Sequence, residues 1–315
     1  MCAGFRLHSC PSGLADSRGD WSSLRVSAPP REFRYHRLLD AAGSIRSASP
    51  LTSVKVILAH GPLGFGAIDI LNQPVTYFKG VAEDLTRLGI KVRTPFINPY
   101  EPVSERANAL ATAIRDFFSP TERGYVIAHS LGGLDARFAL AQIAGVAARV
   151  KSLVTIGTPH LGSPIADLLS SAKALHSLFG IDPVILREVE SSGALGDLTT
   201  DAAKRFAAAN PDRNDVLYRN IVGTGRQGTP PALPLFHTCA AFSGTFALMA
   251  ARRLVNDGMV SFDSARRNKT PWEVWKVDHA EEVGWDLDDP LAAPSPEHLA
   301  RYRRIVRRLR ARIST

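Results

Sequence analysis

Tyr125-Val126-Ile127-Ala128-His129-Ser130-Leu131-Gly132-Gly133 is the stretch whose reading decides the fold. A short apolar run of strand character leads into small residues. A helix-forming run (Leu134, Ala136, Phe138, Ala139, Leu140) follows directly. A strand that turns sharply into a helix lifts the side chain at its apex clear of the sheet, and here that side chain is Ser130. So tight a turn leaves no room for bulk two residues before or after the apex. Those positions hold Ala128 and Gly132, a mild departure from the usual pair of glycines.

A serine hydroxyl becomes a nucleophile only beside a base that takes its proton and an acid that orients the base. In the α/β-hydrolase arrangement these follow in the chain order Ser, Asp or Glu, His. Downstream stand Asn256-Asp257-Gly258 and Asp278-His279-Ala280-Glu281-Glu282. Asp257 sits in an Asn-Asp-Gly turn and His279 follows an expected strand, so both belong at the carboxyl edge of a sheet. The expected triad is Ser130, Asp257 and His279. On composition alone Asp263 and Asp278 compete for the acid, and His60, His129, His160, His237 and His298 for the base.

Strand-like and helix-like runs alternate from about residue 54, which predicts a mostly parallel central sheet with flanking helices. Val54 to Ala59 reads as a buried strand ending in the loop His60-Gly61-Pro62-Leu63-Gly64-Phe65-Gly66. The spacing predicts a helix over 77–88 stopped by Gly89 and a strand over 90–95. It predicts a second helix over 104–118, capped by Ser104, and a strand over 150–156. Further on, helix-like pieces at 166–179, 200–209 and 240–254 are separated by Gly/Pro-rich joints, with a strand over 216–222 between them. The last core strand is expected at 272–277. Residues 164–254 therefore read as including lid or cap insertions, with 164–198 as the lid. Residues 1–52, rich in Ser, Arg, Gly and Pro, read as a flexible extension before an α/β-hydrolase domain over 53–315.

At 315 residues and 45% hydrophobic content the chain can bury a sizeable core. Its net charge of +8 invites a nucleic-acid reading, but seven arginines lie between Arg301 and Thr315, and without them the balance is about +1. Apolar Leu299, Tyr302, Ile305, Val306, Leu309 and Ile313 recur there at helical spacing. The expectation is a helix packed by one stripe, with attraction to an anionic lipid surface as the sharper alternative. No nucleic-acid partner is expected, and a monomer is. Three cysteines (Cys2, Cys10, Cys239) give no reason for a disulfide or a zinc site. The N-terminus lacks a signal-peptide core, and no run approaches the length of a transmembrane helix. The compartment is not legible: cytoplasmic is the default expectation, with secretion left open should the true start lie elsewhere.

Several short pieces together resemble the true bacterial lipases of the Pseudomonas/Burkholderia type, across roughly residues 54 to 310. They are His60-Gly61-x-Leu63-Gly64-Phe65, Tyr77-Phe78-x-Gly80, Ala128-His129-Ser130-x-Gly132-Gly133, Thr158-Pro159-His160-x-Gly162-Ser163, Asn256-Asp257-Gly258-x-Val260 and His279-x-Glu281-Glu282-Val283. The resemblance implies the same triad of Ser130, Asp257 and His279. It places one oxyanion donor at Leu131 and the other at the residue after His-Gly. That residue is Pro62, which has no N–H, so Leu63 is the expected donor. Relatives of this type bind calcium. Here Glu281 stands where they have an Asp ligand and Trp285 where a Gln is usual, so no cofactor or metal is expected. Their cysteine pair is absent too.

The combined reading is a serine ester hydrolase, foremost a lipase of acylglycerols working through an acyl-enzyme. Leu168, Leu169, Leu178, Phe179, Phe236, Phe242 and Phe246 are candidates for an acyl pocket or lid. Lipid-surface contact through the lid and the arginine-rich helix is kept open as the alternative to a solvated basic face. The rivals are a carboxylesterase of short-chain or soluble esters, a non-catalytic binding protein on the same fold, and a membrane-associating protein driven by its basic tail.

Overall fold

Buried parallel strands form a six-stranded sheet with helices on its faces. A computed structural model describes residues 54–61, 76–169, 193–225, 255–286, 289 and 291–311. In chain order the elements are β1 (Lys55–Ala59), α1 (Val81–Arg87), β2 (Lys91–Arg93), α2 (Val103–Phe117), β3 (Gly124–His129), α3 (Gly132–Gln142), β4 (Val150–Ile156), α4 (Pro164–Leu169), α5 (Gly193–Asp197), α6 (Thr200–Ala209), β5 (Leu217–Gly223), α7 (Phe262–Arg266), β6 (Glu273–Trp275) and α8 (Pro296–Ala311). Single 3₁₀ turns lie at Ala147–Arg149 and Glu281–Val283.

The six strands pair in the order β2-β1-β3-β4-β5-β6, and every pairing is parallel. Parallel strands covered on both faces read as continuous apolar runs, and β3 is buried at all six positions. Alternate side chains serve opposite layers. Val56, Leu58, Tyr125, Ile127, Val154 and Ile156 pack against Val81 and Leu85 of α1 and against Tyr302, Ile305, Val306 and Leu309 of α8. Ile57, Ala59, Val126, Ala128 and Leu153 pack against Ala107, Leu110 and Ile114 of α2 and Ala136, Ala139 and Leu140 of α3. Of the periodic stripe expected in the C-terminal helix, Tyr302, Ile305, Val306 and Leu309 are buried, Leu299 is partly buried, and Ile313 lies outside the described residues.

Because all strands run the same way, the loops after them meet at one edge. From β1 the chain moves outward to β2, then returns to the other side of β1 as β3. This reversal is the switch point at which open α/β sheets leave a crevice for ligands. It puts His60-Gly61, after β1, next to Ser130, after β3.

Several boundaries differ from the periodicity. Helix α1 starts at Val81 rather than Tyr77, because Gly80 is left-handed (φ 70) and a side chain there would meet Pro294 at 2.6 Å. Helix α2 is not capped by Ser104. Its N-cap is Pro102, and the Val103 N–H donates to Asp197 Oδ2 at 2.7 Å. The strand expected over 272–277 is shorter, Glu273–Trp275. Helices α5 and α7 were not separately expected. The extension 1–52, the helix expected over 240–254 and most of the lid segment lie outside the described residues.

Four arginines of α8 are paired within the protein: Arg301 with Glu297, Arg303 with Asp84, and Arg304 and Arg308 with Glu273. The Arg308 guanidinium also lies 4.1 Å from the Trp272 ring centroid. Among the described residues no helix is long and apolar enough to cross a membrane.

His298 is buried in α8, and its Nε2 bonds the Lys79 carbonyl at 3.2 Å. Burial lowers its pKa from 6.5 to about 4, with the Lys79 carbonyl pulling the other way and Arg301 and Lys79 adding to the fall. Between pH 4 and 6.5 the unfolded chain therefore binds the extra proton, and stability is lost as pH drops through that window. We expect the stability difference between wild type and His298→Gln to shrink by on the order of 3 kcal/mol from pH 6.5 to 4. Urea unfolding of both proteins measures this, and a constant difference contradicts it.

Candidate active site

Ser130 is held at φ 55, a left-handed conformation rare for a residue with a side chain. Two backbone bonds hold it there. Its N–H donates to Ile156 of β4 at 2.9 Å, and its carbonyl accepts from Gly133 at 3.1 Å. Gly132 is required because any Cβ would lie 2.6 Å from the Ala59 carbonyl oxygen and 2.7 Å from that of His60. Ala128, the off-pattern residue, is fully buried in the α2–α3 core layer, where one methyl is accommodated. Strain of this kind persists where the surroundings over-determine it, and it gathers at functional sites.

Asp257 and His279 are brought together. His279 Nδ1 lies 2.9 Å from Asp257 Oδ2, and the His279 N–H donates to the Asp257 carbonyl at 2.9 Å. Asp257 is itself held by its turn: its Oδ1 accepts from the N–H groups of Met259 (2.9 Å) and Val260 (2.7 Å). The His279 ring stands 4.5 Å, centroid to centroid, from that of His129, the residue before Ser130.

The competitors are engaged elsewhere. Asp263 lies in α7, paired with Arg266 at 2.8 Å and largely exposed. Asp278 Oδ1 accepts from the N–H groups of Ala280 (3.0 Å) and Glu281 (2.9 Å), shaping the loop rather than orienting an imidazole. His60 bonds the Gly61 carbonyl and the Ile97 N–H. His129 bonds Tyr77 and Glu282, and His160 bonds Arg137 and Thr155. His298 is buried in α8, and His237 lies outside the described residues.

Leu131 stands at the N-terminus of α3, where the first amides of a helix have no intrahelical acceptor. Pro62 and Leu63 lie outside the described residues, but Gly61 is in place. A Cβ on it would lie 2.8 Å from Ser130 Cβ and 3.2 Å from Ser130 Oγ. The proposed acyl-pocket residues Leu178, Phe179, Phe236, Phe242 and Phe246 lie outside the described residues, as do the side chains of Leu168 and Leu169.

One group escaped sequence reasoning. Glu282, fully buried, places Oε2 3.0 Å from His129 Nε2 and 3.6 Å from His279 Nδ1, a second carboxyl beside Asp257. Burial and the neighbouring Asp257 hold it well above the usual carboxylate range. Burial, helped by His279, holds His129 well below the usual imidazole range, so its ring is neutral. Tyr77 Oη closes the chain at 2.6 Å from His129 Nδ1. The sequence carried a faint signal in the form of an acid one helical turn after His279, between Glu281 and Val283. Nothing local distinguished it from a solvated glutamate. His129, His279 and Glu282 offer ligand atoms within 4.8 Å of one another, the spacing of a small cation site, but these atoms are already joined by the hydrogen bonds just described.

A parallel sheet with a strained serine elbow at its switch point defines the α/β-hydrolase fold. Within it, the chain belongs to the family described as "Putative serine esterase (DUF676)", whose pattern matches residues 98–266, just over half of the sequence. That span holds Ser130 and Asp257, and His279 lies beyond it. Among curated proteins the chain is 27% identical to triacylglycerol lipase 2 of Saccharomyces cerevisiae over 221 residues, covering 67% of this chain and 63% of that protein. It is 33% identical to the triacylglycerol lipase of Burkholderia plantarii over 147 residues, 42% of this chain and 39% of that one. The chain therefore spans less than two thirds of these relatives. Similar solved structures include a Bacillus licheniformis lipase in mature form (TM-score 0.57, 21% identity, 76% of this chain and 90% of that one). A metagenomic carboxyl esterase is also similar (TM-score 0.60, 19% identity, 80% and 76%).

Proposed function

We propose that this protein is a lipase that hydrolyses acylglycerol esters through Ser130, His279 and Asp257. The observation that carries the reading is the 2.9 Å bond between His279 Nδ1 and Asp257 Oδ2. With Nδ1–H donated to Asp257, Nε2 keeps its lone pair and serves as the base. The Ser130 Oγ attacks the ester carbonyl while its proton passes to Nε2. The oxyanion is met by the Leu131 N–H and, in this reading, by that of Leu63. The imidazolium returns its proton to the departing alcohol. A water molecule, deprotonated by Nε2, then attacks the acyl-enzyme, and collapse of the second intermediate releases the fatty acid and restores Ser130.

The acylglycerol substrate is supported by the two curated relatives named as triacylglycerol lipases. It is also supported by apolar surface on loops around the site, at Phe96 and Leu161 after β2 and β4 and at Val255 before Asp257. The 33% identity to the Burkholderia plantarii enzyme supports a place near the Pseudomonas/Burkholderia type. Contact with a lipid surface would be led by these apolar loops, since four arginines of α8 are engaged within the protein. Calcium has no part in this mechanism. The Trp285 indole N–H donates to the Tyr77 carbonyl at 3.0 Å, and a donor N–H cannot ligate a cation. Glu281 Oε2 accepts from the Asp278 N–H at 3.0 Å.

Chain-length profiling tests the substrate. The reading expects turnover of emulsified long-chain triglyceride as well as tributyrin and p-nitrophenyl esters. Turnover confined to short, soluble esters makes the protein a carboxylesterase. No turnover of any ester, with Ser130 unreactive, leaves a binding protein on this fold.

A further inference from the structure

An oxyanion hole is assembled from two chain segments, and its performance depends on how rigidly they are held against each other. Here the described segments are His60-Gly61 and the start of α3. One side chain touches both. Arg106 of α2 is fully buried, and so is its partner Asp135, in the first turn of α3. Arg106 Nε and Nη2 donate to the Asp135 carboxylate, the shortest contact being 2.7 Å. Nη2 also donates to the His60 carbonyl at 2.9 Å, and Nη1 to the Asn98 carbonyl at 2.8 Å. Asp135 is in turn fixed to the elbow, since its N–H donates to the Leu131 carbonyl at 3.1 Å.

The His60 ring adds a second bracket. Its Nε2 accepts from the Ile97 N–H at 3.0 Å, so the ring proton is on Nδ1 and is donated to the Gly61 carbonyl at 2.9 Å. The His60-Gly61 segment is thereby held at the Gly61 carbonyl by the His60 ring and at the His60 carbonyl by Arg106. Gly61 lies directly against Ser130. A buried ion pair adds little net stability over an apolar pair of the same volume. In this one, the donors not spent on the carboxylate reach backbone carbonyls of loops at the site edge.

We propose that Arg106, seated on Asp135, is a positioning residue for the oxyanion hole. It holds the His60-Gly61 segment against the start of α3, and with it the placement of the Leu131 N–H beside Ser130. This rests on the reading of Ser130 as the nucleophile of an ester hydrolase.

The test uses the full-length chain with Arg106→Leu/Asp135→Leu, which removes both charges together, and with Arg106→Lys. Two ligands separate positioning from general loosening. An aliphatic trifluoromethyl ketone adds to the serine and lodges an oxyanion in the hole. The matching secondary alcohol occupies the acyl site without forming one. For the double variant we expect kcat on p-nitrophenyl butyrate to fall about 100-fold, with KM changed by less than about threefold. Ketone affinity should fall in proportion to kcat/KM while alcohol affinity holds. Should the double variant fail to fold, Arg106→Lys decides. A lone ammonium cannot span Asp135, His60 and Asn98 at once, so the same split is expected with kcat down about tenfold. A folded variant with kcat within about twofold of wild type overturns the proposal, as does equal weakening of ketone and alcohol. Failure of the underlying reading looks different: wild type itself then neither turns over ester nor takes up the ketone.

Discussion

Ser130→Ala is expected to lower kcat on tributyrin by on the order of 10⁵-fold while leaving the fold intact. The loss is large because, among the described residues, no neighbouring group replaces the hydroxyl. Gly61, which has no side chain, lies against it, and His129 is turned to Tyr77 and Glu282. The fold survives because the elbow is fixed by backbone bonds, from the Ser130 N–H to Ile156 and from the Gly133 N–H to the Ser130 carbonyl, which alanine keeps. A companion variant separates strain from chemistry. Ser130→Gly removes the side chain that resents φ 55, so it should be inactive yet more stable than Ser130→Ala by about 1 kcal/mol. Thermal unfolding beside the activity assay measures both. Full activity in Ser130→Ala ends the account.

Asp257→Asn should lose about 10⁴-fold in kcat at neutral pH, although it changes one atom. The Oδ1 position accepts from the Met259 and Val260 N–H groups, so an asparagine there must keep its oxygen on that side. Its NH₂ then takes the Oδ2 position, facing His279 Nδ1. The ring nitrogen must accept instead of donate, which moves the imidazole proton to Nε2 and removes the base. The backbone bond from the His279 N–H to the residue 257 carbonyl is untouched, so stability should change little. Steady-state kinetics with a melting curve measures this, and kcat within about tenfold of wild type contradicts the assigned orientation.

The parts of the fold legible in the sequence are those fixed by local pattern. β4 and α6 fall where periodicity puts them, and β1 and β3 announce themselves as runs buried on both faces. What was not legible depends on residues distant in the chain. Ser104 has the chemistry of a cap, but the Val103 amide is taken by Asp197, brought in by α5. The order Ser, Asp, His suggested Asp257 and His279, yet composition could not dismiss Asp263 or the other histidines. Only three-dimensional partners do that: Arg266 for Asp263, Thr155 and Arg137 for His160, and burial in α8 for His298. The roles of Glu282 and Arg106 were not legible for the opposite reason. Both are charged residues on stretches that look solvent-facing, and both are fully buried because their partners, His129 and Asp135, come from the elbow.

The most direct test of Ser130 as an activated nucleophile is covalent labelling with an alkyl fluorophosphonate, followed by mass spectrometry of the digested protein. The account predicts one adduct, on the peptide carrying Ser130, rising in step with loss of esterase activity. It also predicts that His279→Ala labels far more slowly and that Ser130→Ala does not label. Complete inactivation with the adduct on another residue, or labelling of Ser130 at the same rate in His279→Ala, would contradict it.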